Sequence, residues 1–173
     1  MTRPPLPHEF LRPVPAFSVS SDDVKDGGTL LPAQTLEGGN LSPQLAWSGF
    51  PAGTKSFAVT CFDPDAPTGS GWWHWVLFNL PVTTTELPAG AGSGAFPGLP
   101  EGAVHGRNDY GTKEFGGAAP PPGHGPHRYV FTVHALPVEE LGPDADTSAA
   151  AISGALGFFA LGRAVLVAEY ENR

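Results

Sequence analysis

The hydrophobic positions of this chain fall in short runs separated by Gly, Pro, Asn and Asp, a spacing that predicts strands joined by turns. The clearest run is 56–62, where Phe57, Val59 and Cys61 alternate with Ala58, Thr60 and Phe62 and the two sets point to opposite faces. Residues 73–80 are largely apolar at both parities, as in a strand buried on both sides. Residues 128–136 set Tyr129, Phe131 and Val133 on one face and Val130, Thr132 and His134 on the other. The stretch 163–170 is compatible with strand or helix and is taken as a strand. Helix signals are scarce. The best is 144–155, where Asp146 or Thr147 can cap an Ala-rich sequence weakened by Gly154 and Gly157. Long connections, 81–112 and 115–126, lie between these elements; such lengths are usually functional or disordered. Residues 1–16 read as a proline-rich arm with little reason to fold alone, and 17–173 as one domain.

Composition narrows the class. The 23 Gly and 20 Pro among 173 residues approach the range of low-complexity chains, but they punctuate core-forming segments instead of repeating, so the whole is read as a loop-rich globular domain. Nine Lys and Arg against seventeen Asp and Glu give a net charge of −8. That balance lacks the basic stripe of a nucleic-acid binder and disfavours an anionic membrane surface. Cys61 is the single cysteine and cannot form an internal disulfide. With no apolar run of membrane-spanning length and no signal-like start, the expected location is soluble and cytoplasmic.

Two stretches can carry chemistry. In Asp63-Pro64-Asp65-Ala66-Pro67 the proline rings stiffen a corner at the end of a buried strand, and X-Pro bonds are where a cis peptide is tolerated. The chain returns through a Gly-rich turn to Trp72-Trp73-His74-Trp75, a hairpin that brings His74 back beside Asp63. Such a pair can be a base with its orienting partner, two metal ligands, or an anion site with a shared proton; the plain alternative is a shaped loop and a core histidine. The second stretch runs from Gly116 through three prolines to His127-Arg128-Tyr129, setting an imidazole and a phenol on one strand face beside a ring-walled loop. The tryptophans read as packing, Cys61 as an inert buried thiol, and residues 106–111 as a turn cluster in which Asn108 can hold a loop. His8, His105 and His134 have no partner at a diagnostic spacing.

Together with Gly39-Asn40-Leu41-Ser42-Pro43 and Asn108-Asp109-Tyr110-Gly111, these stretches resemble the phosphatidylethanolamine-binding protein family, in its bacterial Raf kinase inhibitor-like branch. The resemblance covers roughly residues 17–170. It implies a mainly β fold, two antiparallel sheets in a β-sandwich-like arrangement with a few short peripheral helices, and a small preformed anion pocket. Carried over position by position, that pocket uses Asp63, Asp65, Pro67, His74, Pro121, His127 and Tyr129. Amides of Gly116 or Gly117 are candidate donors, since Gly permits close approach. The expected ligand is a small phosphate- or carboxylate-bearing molecule, with no cofactor and no metal; proton sharing by His74 or His127 would let Asp63 orient a donor instead of repelling the guest. A regulatory role toward a partner kinase or protease, and a homodimer with residues 158–161 at an interface, are further expectations. The short 68–72 loop and the C-terminal Gly157-Phe158-Phe159 depart from the eukaryotic pattern, so a Raf-like target is not carried over. The competing reading is a hydrolase working with an Asp63–His74 acid/base pair, although no nucleophile elbow or phosphate loop is present.

Overall fold

The computed structural model describes residues 2–173. Eight strands and two α-helices are present among them: α1 (Pro7–Phe10), β1 (Ser18–Ser20), β2 (Leu45–Ser48), β3 (Ser56–Asp63), β4 (Trp72–Pro81), β5 (Glu86–Leu87), β6 (Val104–His105), β7 (His127–Leu136), α2 (Ala149–Phe159) and β8 (Gly162–Tyr170). They build two antiparallel sheets, a large one of order β6-β4-β3-β7-β8 and a small one of order β1-β2-β5. The fold is mainly β with few short helices.

The alternation read from residues 56–62 decides which side faces what. Phe57, Val59 and Cys61 join Trp75, Leu77, Tyr129, Phe131 and Leu166 in the main core, against Leu45 and Trp47 of the small sheet. Ala58 looks the other way, into a second cluster with Val76, Phe78, Ile152 and Leu156 under α2. The central strands are therefore buried on both faces. Tight turns join neighbouring strands, and the one between β3 and β4 shows why glycine is needed: at Gly71, with φ +71°, a Cβ would lie 2.4 Å from the Phe62 ring and 2.8 Å from the Asp63 carbonyl.

Several expectations are corrected. The helix starts at Ala149 and its cap is Ser148, whose hydroxyl accepts from the Ala151 amide at 3.2 Å. Asp146 instead pairs with Lys113 and Arg107, and Thr147 donates to Asp144. The helix runs past both glycines to Phe159 because Ala149, Ile152 and Leu156 bury one stripe, and tertiary packing outweighs propensity. The long connection 81–112 contains two short strands, β5 and β6, each only two residues long and below the length at which alternation can be read. The strand expected at 163–170 is present, by contrast, as the greater part of β8, laddered to β7 from Gly162–Ala135 to Tyr170–His127.

The proline-rich arm lies along this body. Arg12 donates to the Phe158 and Ala160 carbonyls at 3.2 and 2.8 Å, where α2 leaves acceptors unpaired. Arg3 reaches Glu169 and the Pro126 carbonyl, while Arg128 donates to Pro4. Of the apolar run after Gly157, Phe158 is 77% exposed and Ala160 is buried. No helix among the described residues is long and apolar enough to cross a membrane.

Candidate functional site

The ends of β3, β4 and β7 converge on a cavity of about 210 Å3. Asp63, Pro67, His74, Pro121, His127 and Tyr129 all line it. The volume lies below the usual range for drug-sized ligands and suits a head group or a small acid.

Asp63 ends β3 and is buried. Its Oδ1 accepts the Asp65 amide at 2.8 Å, the side-chain-to-backbone turn that the Asp-Pro-Asp sequence favours. Its Oδ2 accepts from His127 Nδ1 at 2.7 Å. Burial raises the Asp63 carboxyl above its ordinary value, and the His127 hydrogen bond and charge offset part of that rise. The partner of Asp63 is thus His127, across β3 and β7, and not His74. The hairpin does return His74 to the same cavity, but β4 carries an irregularity there: Cys61 pairs with Trp75 and Phe62 with Trp73, leaving His74 as the extra residue. Bulges re-aim side chains in this way. The Asp63–Pro64 and Ala66–Pro67 bonds are trans.

His74 is locked by a reciprocal pair of bonds. Its Nδ1 donates to the Gly116 carbonyl at 2.7 Å, and the Gly116 amide donates to the His74 carbonyl at 2.8 Å. Burial pushes its pKa down to about 4, so at neutral pH the ring is uncharged and Nε2 is an acceptor. Tyr129 and Tyr110 meet the imidazole edge to face, with centroids 5.1 and 5.6 Å away. The Tyr129 hydroxyl is buried without a hydrogen-bond partner, and burial raises its pKa, so it keeps its proton.

Two expected site residues sit differently. Asp65 does not line the cavity. It holds Arg128 through a two-pronged contact, Nε to Oδ2 and Nη2 to Oδ1 at 2.8 Å each, and also accepts the Arg128 amide. It therefore fixes the start of β7, and with it His127 and Tyr129. Gly117 is not a cavity donor either. Its amide donates to Asn40 Oδ1 at 2.7 Å, its carbonyl accepts from Tyr110 at 2.9 Å, and a Cβ there would sit 2.5 Å from the Leu36 amide. The Gly116 amide is occupied as well, so neither glycine supplies the donors once expected of them.

The donors come from elsewhere. Trp72, set aside above as packing, lines the cavity and buries Nε1 with no partner. Its position opposite Asp63 in the β3–β4 register is the signal that could have found it. Tyr110, another lining residue, comes from the turn cluster that Asn108 braces: Asn108 bonds Thr112 and the Glu114 carbonyl, and Asp109 exchanges hydrogen bonds with the Trp73 backbone. His127 Nε2 meets His124 Nδ1 at 2.7 Å, so a file of polar groups runs from buried Asp63 to exposed His124. Both His127 nitrogens are engaged, and no metal-competent cluster of three or more His, Cys, Asp or Glu occurs among the described residues.

Two antiparallel sheets, with a cavity at strand ends of the large one lined by prolines, an aspartate and two histidines, define a β-sandwich-like protein with a small polar pocket. Comparison with known proteins gives the particular group. The phosphatidylethanolamine-binding protein model matches residues 20–171, and the chain belongs to that family. It is 49% identical over 161 residues to the UPF0098 protein YbcL of Escherichia coli, covering 90% of this chain and 88% of that one. It is 48% identical over 156 residues to YbhB of the same organism, covering 87% and 98%. The crystal structure of YbcL, described as a new member of the mammalian PEBP family, superposes with a TM-score of 0.88 over 91% of this chain and 99% of that one, at 48% identity. The homologue CT736 of Chlamydia trachomatis superposes at 0.77 with 26% identity, covering 91% and 99%.

Proposed function

We propose that this protein binds a small phosphate- or carboxylate-bearing molecule, taken up as a monoanion. The observation carrying the reading is that two residues lining the cavity, Tyr129 and Trp72, hold buried donors, a hydroxyl and an indole N–H, that have no partner within the protein. A buried donor without an acceptor costs about 1–3 kcal/mol, and an oxyanion is the acceptor that recovers most of it. Beside the Tyr129 ring, neutral His74 presents an acceptor, and Asp63 has its oxygens occupied by His127 and the Asp65 amide. A phosphate monoanion, which keeps one acidic proton, fits both groups: its anionic oxygens accept from the phenol and indole, and its hydroxyl donates to His74 Nε2, whereas a carboxylate accepts from the donors alone. A phosphomonoester, whose second proton leaves at about pH 6, has the monoanion form in mildly acid solution. A fully ionised dianion would set two charges beside Asp63 with no cation in the lining, so tight grip on a polyphosphate is not expected.

The test is calorimetric titration of phosphate, phosphoethanolamine and acetate into wild type and His74→Ala. Binding to wild type that weakens at least tenfold in the variant is expected; equal affinity in both proteins overturns the reading.

A further inference from the structure

A second cavity lies on the opposite face of the large sheet. At about 20 Å3 it has room for one occupant the size of a water molecule. Thr60, Thr132, His134 and Arg163 form its floor, Ser153 of α2 one side, and Pro7 and Leu11 of the arm its outer wall. Arg163 stands on β8 directly across from His134 on β7.

Arg163 is only 6% exposed, yet its charge has no counterpart. Nη1 donates to the Arg12 carbonyl at 2.8 Å, while Nε and Nη2 are buried with no acceptor. No carboxylate lines the cavity, and no ion pair among the described residues includes Arg163. The contrast with Arg128 is direct, since that guanidinium is matched by Asp65. A buried charge left without a partner is among the costliest features a fold can hold. His134 adds a second orphan: Nε2 faces the Thr60 hydroxyl at 3.0 Å and Nδ1 has no partner. Burial and the neighbouring Arg163 charge push this imidazole down to about 3, so it is neutral. When the Thr60 hydroxyl donates to Nε2, Nδ1 carries the ring proton and becomes a donor.

The lining residues thus bring unpaired N–H groups at Arg163 Nε and Nη2, one imidazole N–H of His134 and the guanidinium charge of Arg163 to a space for a single atom or small molecule, with His8 the other titratable residue of the lining. Water would satisfy the donors and leave the charge uncompensated. We infer that this cavity holds a monovalent inorganic anion of halide size, buried beneath the N-terminal arm and separate from the ligand cavity. The same arginine then serves two purposes: its amide and Nη1 tie down the arm at Pro15 and Arg12, and its remaining face holds the ion. Chloride is the natural occupant, since an oxyanion such as phosphate is too large for the space.

The test uses the full chain. Crystals equilibrated with millimolar sodium bromide in place of chloride should give an anomalous difference peak within hydrogen-bonding distance of Arg163 Nε and Nη2. Density there with no bromide signal, or a peak that appears only at molar bromide, overturns the inference. In parallel, melting in sodium chloride against sodium gluconate at equal ionic strength should show a saturable rise of a few degrees in wild type that disappears in Arg163→Met. A halide effect that survives in a folded Arg163→Met protein places the ion elsewhere and also overturns it. Phosphate titration of the same proteins reports on the ligand cavity independently.

Discussion

Replacing Tyr129 by Phe should make the protein more stable and a poorer binder. The ring packs in the main core and edge-on to His74, and Phe preserves both contacts. Only the hydroxyl is lost. In the unliganded protein that hydroxyl is buried without an acceptor, a state costing about 1–3 kcal/mol, of which a transient water in the cavity can recover part. Unfolding free energy should therefore rise by about 1 kcal/mol, and for a chain of this size Tm by about 2–4 °C. Binding responds in the opposite direction. A hydrogen bond to a charged acceptor contributes about 1.5–3 kcal/mol, so phosphate should bind about 10- to 150-fold more weakly. Scanning calorimetry and isothermal titration of the two purified proteins measure both quantities. A Tyr129→Phe protein that is less stable than wild type and binds phosphate equally well would refute the assignment, because it would mean that the hydroxyl has a structural partner and not a ligand.

Other outcomes follow from the same contacts. Trp72→Phe should weaken phosphate about tenfold in titration calorimetry, since it removes the second orphan donor while keeping an aromatic ring against Tyr110. Asp65→Asn should lower the urea midpoint by an amount equivalent to about 2 kcal/mol through the loss of the charged Arg128 contact. Burial alone would raise the Asp65 carboxyl, but the Arg128 hydrogen bonds and charge outweigh it and hold it below the ordinary carboxylate value. A depressed carboxyl stabilises above its unfolded pKa and loses that contribution as pH falls through the folded one, so the variant's urea midpoint should depend less on pH below about 4 than that of wild type. Gly117→Ala should destabilise by about 1–3 kcal/mol in urea titration, because its Cβ meets the Leu36 amide and the Thr35 carbonyl carbon at 2.5 Å. Three imidazoles act at milder acidity: His74 and His105 are pushed down to about 4 and His134 to about 3, all chiefly by burial. The unfolded chain takes these protons near pH 6.5 and the folded one does not, so stability should fall as pH drops from about 6.5 toward 4. An unchanged urea midpoint between pH 7 and pH 5 would contradict the buried, neutral state of these rings.

What could be read from the sequence follows the reach of each signal. Strands β3 and β7 were visible because alternation over seven or more residues has one structural meaning. The two-residue strands β5 and β6 have no periodicity to detect. The cap of α2 was misplaced because Asp146, Thr147 and Ser148 are all good capping residues, and only the tertiary pull of Lys113 and Arg107 on Asp146 separates them. Half of the cavity lining was legible because those residues cluster at strand ends in two short motifs. The partnership of Asp63 with His127 was not, since it joins residues 64 positions apart and depends on strand order. Nor was the extra residue in β4, which turns His74 into the cavity and leaves no mark in composition or spacing. Gly117 shows the opposite failure: glycine does signal a close approach there, but the neighbour is the 34–36 backbone instead of a ligand.

The orphaned polar groups divide the molecule in a way that bears on how its cavities work. Around the ligand cavity the carboxylates are hydrogen-bonded, Asp63 to His127 and Asp65 to Arg128, and the orphans there are the neutral donors of Tyr129 and Trp72. The orphans of such a site leave no formal charge unpaired when it is empty, and it is held in shape without its guest, because the bonds locking His74, Gly116 and Asp63 run to the protein's own backbone. Its occupant can therefore come and go with little reorganisation, which is what preorganisation contributes to binding. Behind the sheet the position is reversed. The orphan there is a formal charge, Arg163, sealed under a docked arm, and an empty site would carry a continuing penalty. An occupant of that cavity belongs to the folded state itself, and its release is tied to lifting of the arm. One sheet thus separates a site suited to exchange from a site suited to permanence, and the difference follows from whether the unpaired group is a dipole or an ion.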